Sequence, residues 1–207
     1  MVEEIRIYIE GDTKQKGKFN TISLREGFNH FFLELIEKAK AKNIVLRLIM
    51  SGSKYETFKD FLNAAKSYEN SFVCFLLDSD ATVNNQTAKA FLQTQNPLWH
   101  LQTVEENQCH LMIQIMESWF LADKEKLAEF YGQGFNQNAL AKNTNVENIL
   151  KADVENGLAN ATRNTQKGEY HKTRHGAKIL ELINPKKVRD AAPHCEEIFT
   201  TILGKIS

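Results

Sequence analysis

The sequence has few cysteines, no long apolar run and no excess of charge of either sign. Cys74, Cys109 and Cys195 lie far apart and form no Cys-x-x-Cys pair, which argues against a zinc site and for a reducing compartment. No apolar stretch reaches the roughly 18–20 residues needed to cross a bilayer. Glu3 and Glu4 stand where a secretory signal would carry basic residues. We therefore expect a cytoplasmic protein that does not contact membranes.

Signature motifs of several common enzyme classes are missing as well. The chain contains no GxxxxGK[ST], GxGxxG, HExxH or GxSxG pattern. P-loop ATP hydrolysis, Rossmann-type dinucleotide binding and α/β-hydrolase chemistry are therefore unsupported. If the protein works with an ATPase, that activity must lie on another chain.

Charge is balanced over the chain but not along it. The sequence has 26 basic and 26 acidic residues, with an excess of basic residues in 160–207 and an excess of acidic residues before it. This asymmetry fits an ordinary solvated surface. It fits equally well an acidic metal centre flanked by a basic segment that contacts phosphates.

Strand-like and helix-like segments alternate over the first 115 residues. We predict strands over 5–9, 44–50, 72–77 and 109–115, and helices over 24–41, 53–67 and 87–95. Ser53 and Glu56 form a capping-box pattern at the start of the second helix. The third strand is apolar throughout, as in a sheet that is covered on both faces. This order predicts an α/β fold with a mostly parallel, four-stranded central sheet and flanking helices.

The remaining part of the sequence has a helical pattern. Helices are predicted over 124–131, 178–183 and 195–203, with Asp123 as the N-cap of the first. Thr144 and Glu147 form a second capping-box pattern, before a helix that runs to about residue 158. We divide the chain into an α/β core, residues 1–123, and a C-terminal helical extension, residues 124–207, that packs on the core.

Acidic residues follow two of the predicted strands. Glu10 comes directly after the first strand, and Asp78 and Asp80 come directly after the third. The carboxyl ends of parallel strands meet at one edge of the sheet, where ligands usually bind. Residues two apart can project to the same side, so Asp78 and Asp80 can share one ion. Because magnesium prefers carboxylate and phosphate oxygens, the combination predicts a magnesium site, although each motif alone is common in turns.

Two of these segments resemble a known domain. Residues 7–11 (IYIEG) and 75–80 (FLLDSD), separated by a helix, a strand and a helix, resemble the TOPRIM domain. That domain occurs in topoisomerases, primases, recombination-mediator proteins and overcoming-lysogenization-defect nucleases. The resemblance implies a TOPRIM/Rossmann-like fold, with Glu10 as the acid/base or metal-binding residue. It also implies that Asp78 and Asp80 bind Mg²⁺ or Mn²⁺.

A narrower resemblance covers nearly the whole chain. Residues 116–123 (MESWFLAD) and 170–173 (YHKT) are similar to a family of small bacterial TOPRIM-like proteins. Relatives of that family serve as toxic nuclease effectors in phage-defence systems, paired with an ATPase on a separate chain. The sequence departs from the TOPRIM pattern after Asp80, because Ala81, Thr82 and Val83 follow in place of a third aspartate.

Four further residues are candidates for the site. Glu117 follows the fourth strand and either joins the metal ligands or begins a helix at the surface. Lys54 follows the second strand, where it could hold a phosphate or simply be a surface lysine. Lys172 and Arg174 lie in a segment rich in basic and aromatic residues that could contact a nucleic-acid backbone or begin a solvated helix. The family resemblance favours Lys172 as a group that stabilises negative charge near the metal.

Three functional hypotheses follow. The first is a metal-dependent nuclease acting on DNA or RNA, with Glu10 and Lys172 catalytic and with Asp78, Asp80 and Glu117 completing the metal ligands. Lys54, Lys172 and Arg174 would then contact the substrate. The second is a non-catalytic TOPRIM-fold module that docks to a partner protein, which the short acidic motif favours. The third is an enzyme of small phosphate compounds. The sequence leaves a homodimer open.

Overall fold

The computed structural model describes residues 2–11 and 18–207. Within them a four-stranded, all-parallel sheet has the order β2-β1-β3-β4 and is flanked by helices. The strands are β1 (Glu4–Ile9), β2 (Val45–Met50), β3 (Ser71–Asp78) and β4 (Cys109–Met112). This confirms the predicted α/β class and parallel sheet. The fourth strand ends three residues earlier than predicted.

The helices agree with the sequence pattern in position but not in every boundary. They are α1 (Lys18–Phe31), α2 (Leu33–Ala41), α3 (Lys54–Ser67), α4 (Ala88–Gln95), α5 (Glu117–Phe120), α6 (Lys124–Tyr131), α7 (Lys151–Thr162), α8 (Ala177–Leu182), α9 (Pro185–Ala191) and α10 (Pro193–Ile206). The single helix predicted over 24–41 is two helices that meet at Phe32, and the first begins at Lys18. The Ser53–Glu56 capping box of α3 is confirmed, whereas α9 was not predicted. None of the helices in the described ranges is both long and apolar enough to cross a membrane.

The inner part of the sheet is buried on both faces because its strands place apolar side chains on alternate sides, whereas the edge strand β2 is more exposed. Ile5, Ile7 and Ile9 of β1 join one core cluster, which also contains side chains of α1, α2, α8 and α10. Tyr8 of β1 joins the opposite cluster, in which Phe58 of α3 stacks on Trp99. The continuous apolar pattern of β3 has the same cause.

The C-terminal helices share the first of these clusters with the sheet. Residues on both sides of position 123, among them Trp119 and Phe199, are fully buried within it. The described part of the chain therefore has one continuous core on this face. The division into residues 1–123 and 124–207 stays a prediction.

Two carboxylates predicted to cap helices have other partners. The side chain of Asp123 makes no cap hydrogen bond; it accepts from Asn184 N at 3.0 Å and Lys187 Nζ at 2.8 Å. Glu147 lies in a short 3-10 turn and accepts from His194 N and Nδ1, both at 2.8 Å. Asp123 occupies the N-cap position of α6, as predicted, but its side chain does not cap the helix. The Thr144–Glu147 capping-box prediction was wrong, because Glu147 connects its turn to His194 instead.

A glycine allows α1 to approach the start of α8 closely. A Cβ atom built on Gly27 would lie 2.6 Å from the carbonyl oxygen of Ala177, closer than any carbon and carbonyl oxygen can pack. The obstacle is backbone, which cannot rotate away as a side chain can. Gly27 therefore determines how closely α1 and the start of α8 pack together.

We expect Gly27→Ala to lower the free energy of unfolding by about 1–3 kcal/mol, the usual cost of overpacking. Gly204→Ala is the matched control, because Gly204 is exposed on α10 and an added Cβ meets nothing within 4 Å. In Gly204→Ala the better helix propensity of alanine should raise the free energy of unfolding by up to about 1 kcal/mol. Urea titrations of the two variants measure both changes. An equal or higher stability of Gly27→Ala would contradict the close approach.

Candidate active site

The acidic residues predicted from the sequence meet at the carboxyl edge of the sheet. Asp78 is the last residue of β3, Glu10 follows β1, and Glu117 begins α5 shortly after β4. The backbone N–H of Asp78 donates to Oε2 of Glu10 at 3.2 Å. Lys172, on a π-helical turn at Lys172–Gly176, reaches the same cluster.

Asp78 is the most deeply placed aspartate of the cluster, 8% exposed. Its Oδ1 accepts from the backbone N–H of Met116 at 2.8 Å, and its Oδ2 lies 3.6 Å from Lys172 Nζ. Burial raises the pKa of Asp78 to about 7, and although the Lys172 ammonium opposes this, the nearby charges of Glu117 and Glu10 add to it. Burial also raises the pKa of Glu10. Both acids therefore hold protons more tightly than ordinary carboxyl groups.

Glu117 is buried, 3% exposed, so the alternative of a surface residue at a helix start was wrong. Its Oε1 accepts from the hydroxyl of Tyr170 at 2.9 Å and its Oε2 lies 3.4 Å from Lys172 Nζ. Burial, together with the charge of Glu117, raises the pKa of Tyr170, which keeps this hydroxyl a donor. Although burial opposes it, the carboxylates of Asp78 and Glu117 raise the pKa of Lys172. Lys172 is thus a permanent cation between two buried acids.

Asp80 belongs to a second, more exposed group of charges. Its Oδ2 accepts from Lys54 Nζ and its Oδ1 from Lys151 Nζ, both at 2.8 Å. These two lysines lower the pKa of Asp80 against the opposing effect of burial. Asp78 and Asp80 therefore face different lysines, and a shared ion stays a prediction. Lys54 lies at the site, at the start of α3.

Sequence reasoning missed two residues of the site. Lys151 begins α7 and Tyr170 precedes the π-helical turn; neither follows a strand of the sheet, so the strand-end argument could not find them. Tyr170 lies in the same basic and aromatic segment as Lys172 and Arg174, and this composition is the feature of the sequence that could have indicated it. Arg174 lies exposed on the turn, close enough for its charge to act on Tyr131 and His175.

The donor chemistry of the cluster fits a divalent cation, but each carboxylate already has partners. Glu10, Asp78, Glu117 and Asp80 offer the oxygen ligands that magnesium and manganese prefer. Within residues 2–11 and 18–207, however, no three His, Cys, Asp or Glu side chains form a ready-made metal-binding group. Lysine ammonium groups already neutralise the carboxylates at the positions that a metal ion would take. A bound metal ion would have to compete with these lysines.

The comparisons with known proteins give a family but no relative with an assigned role. A family model described as "Domain of unknown function (DUF4276)" matches residues 9–203. The match includes Glu10, Asp78, Asp80, Glu117 and Lys172, so the whole cluster lies within it. No curated protein and no solved structure matches the chain.

The two aspartates should affect stability in opposite directions. The pKa of Asp78 is raised from 3.8 to about 7. Its contribution to the free energy of unfolding is therefore favourable below pH 3.8 and is lost as the pH rises to about 7. Asp78→Asn should therefore raise the free energy of unfolding at pH 8. The gain should exceed about 1 kcal/mol, since one pH unit in a pKa corresponds to about 1.4 kcal/mol. It should disappear near pH 4.

Asp80→Asn is the matched comparison, because the pKa of Asp80 is lowered. The contribution of Asp80 to the free energy of unfolding is present above pH 3.8 and is lost as the pH falls through the folded-state pKa. Asn also suits the positive φ of 57° at this position. The variant should lose at most about 1 kcal/mol at pH 8, since the ion pairs are half-exposed. Urea titrations of Asp78→Asn and Asp80→Asn in EDTA from pH 4 to 8 measure both changes. Destabilisation of both variants at pH 8 would refute the opposite displacements of the two pKa values.

Proposed function

We propose that this chain, which belongs to the family described as domain of unknown function DUF4276, is a metal-dependent nuclease of TOPRIM type. The observation that carries the proposal is the pair of Asp78 and Glu117 around one ammonium, Lys172, with Glu10 hydrogen-bonded to the backbone of Asp78, at the carboxyl edge of a parallel sheet. Carboxylates and a cation with displaced pKa values, gathered where α/β folds bind ligands, are typical of catalytic sites.

Glu10, Asp78 and Glu117, with Asp80 beside them, are the residues that would hold Mg²⁺ or Mn²⁺. Such an ion supplies Lewis-acid activation of a phosphoryl group and of a water. The structural support is the chemistry of the donor set alone, four carboxylates at one sheet edge. Phosphodiesters supply the remaining oxygen ligands that these ions take from substrates.

The other roles belong to the protein's own charged groups. Glu10, whose pKa is raised by burial, is suited to accept a proton from the attacking water, because a general base works best with a pKa near the working pH. Lys172 donates toward the phosphate oxygens on which negative charge develops. Lys54, Lys151 and the exposed Arg174 attract the phosphate backbone without reading its sequence.

The proposed setting is the cytoplasm, where the protein acts as a phage-defence or toxin-like effector. Its zero net charge is unusual for a tight nucleic-acid binder. This favours a partner, an ATPase on a separate chain, that delivers DNA or RNA or triggers cleavage. The proposal does not choose between the two polymers.

A second function is favoured by one observation. Among the residues that the structure describes, lysines engage Asp78, Asp80 and Glu117 and no ready-made metal group exists. A TOPRIM-fold module that docks to a partner protein needs no metal ion, and carboxylates paired with lysines are sufficient for it. Titration with Mn²⁺ separates the two functions: binding without turnover on any polymer favours the module.

The test of the nuclease is cleavage of plasmid, single-stranded DNA, tRNA and total RNA with Mg²⁺ or Mn²⁺. We expect cleavage of at least one polymer by the wild type. Glu10→Gln and Asp78→Asn should each lower the rate at least about 100-fold, because a general base contributes about that much and even the outer-shell partners of metal ligands cost up to about 100-fold.

Glu37→Gln is the control, since Glu37 is an exposed carboxylate on α2. Its rate should match the wild type. Cleavage that survives both site variants comes from another site or a contaminant and would refute the proposal. No cleavage by the folded wild type, with and without the partner ATPase, would leave the docking module.

A further inference from the structure

A cavity of about 540 Å³ lies directly beside the carboxylate cluster. Its walls come from α1, the end of β2, α7 and the segment 169–177, and they are mostly apolar. Leu24, Met50, Met116 and Ala159 contribute to these walls. The volume is within the range of about 300–1,000 Å³ that is typical of small-molecule sites. An apolar cavity of this size next to a charged cluster is suited to hold part of a ligand.

Lys172 belongs to both the cavity and the cluster. Lys172 is one of the residues that line the cavity, while its Nζ lies 3.6 Å from Asp78 and 3.4 Å from Glu117. A ligand whose body fills the cavity can therefore place an anionic group at Lys172. That group would then lie at the edge of the carboxylate cluster.

The polar residues of the wall limit what the ligand can be. Glu155, Glu169 and Asn156 are exposed residues that line the cavity. The two glutamates repel further negative charge, so a chain of phosphates is disfavoured inside. The amide of Asn156 can both donate and accept a hydrogen bond. The cavity therefore suits an apolar body with a hydrogen-bonding edge and a single anionic group.

We propose that this cavity binds the base and sugar of one unstacked nucleotide, whose phosphate lies at Lys172. The inference rests on the proposed nuclease function and gives it a substrate class, because a base inside a duplex cannot reach the cavity unless it leaves the stack. Single-stranded nucleic acid is then preferred over duplex. The nucleotide is either a unit of a strand or a free mononucleotide, which share this chemistry.

Substitution of a wall residue tests the cavity without touching the charged cluster. Ala159→Phe, on α7, fills the cavity, and Ala65→Phe, at an exposed position of α3, is the matched control. The probes are fluorescein-labelled oligothymidylate of eight nucleotides and a strand of equal length with tetrahydrofuran in place of every nucleoside. Binding is measured by anisotropy in EDTA, so that cleavage plays no part.

The wild type should bind the thymidylate at least about tenfold more tightly than the base-free strand, as expected for one recognised base. Ala159→Phe should remove this difference, because the thymidylate loses more affinity than the base-free strand, while Ala65→Phe should match the wild type. Equal wild-type affinities for both strands would overturn the proposal. An equal loss for both strands in Ala159→Phe would also overturn it. Ala159→Leu, a smaller filling, replaces Ala159→Phe if the latter does not fold.

Two further outcomes separate the sources and the functions. If AMP or TMP displaces the labelled strand with a dissociation constant similar to that of the strand, the site is assigned to a free mononucleotide. If neither displaces it, the site is assigned to a nucleotide within a strand. Base-dependent binding without cleavage in the nuclease test keeps the cavity assignment and removes the nuclease. Cleavage without base-dependent binding removes the cavity assignment alone.

Discussion

The ammonium of Lys172 between Asp78 and Glu117 is the contact on which the site depends. Both carboxylates are buried, and a buried charge without a partner costs several kcal/mol. The compensating charge comes from a turn late in the chain, which reaches the sheet because α8 packs closely on α1 at Gly27. The strand ends alone would leave an uncompensated acidic cluster, so sheet and C-terminal helices form one site.

Two neighbouring aspartates have opposite environments, although the sequence motif makes them look equivalent. Asp78 is desolvated and its pKa is raised, whereas Asp80 is held by two lysines and its pKa is lowered. Groups whose pKa values are displaced in opposite directions can take different roles at one pH. A zero net charge is accordingly no argument against a strongly charged site, because acids and lysines compensate each other locally.

The sheet and its acidic edge could be predicted because their causes are local. Strands and crossover helices follow from apolar periodicity, and Glu10 and Asp78 from their place after strands. Lys151 could not be found, since its distance to Asp80 depends on how α7 packs. The same reason explains the wrong capping box at Glu147 and the missing side-chain cap at Asp123: a carboxylate before a helical pattern has the local signature of a cap, while tertiary partners at Lys187 and His194 decide its role. Family and function likewise do not follow from periodicity.

The position of Lys172 also connects the cavity to the carboxylates energetically. Lys172 lines the cavity, and its ammonium, which neutralises Asp78 and Glu117, cannot serve a ligand phosphate fully without giving up part of its contact with them. The negative charge released at the two acids then has to be compensated by another cation or by a proton, because both remain desolvated. Occupation of the cavity by an anion and occupation of the carboxylates by a divalent ion should therefore favour each other. Such reciprocal coupling between two ligands is a thermodynamic necessity once either one changes the affinity for the other.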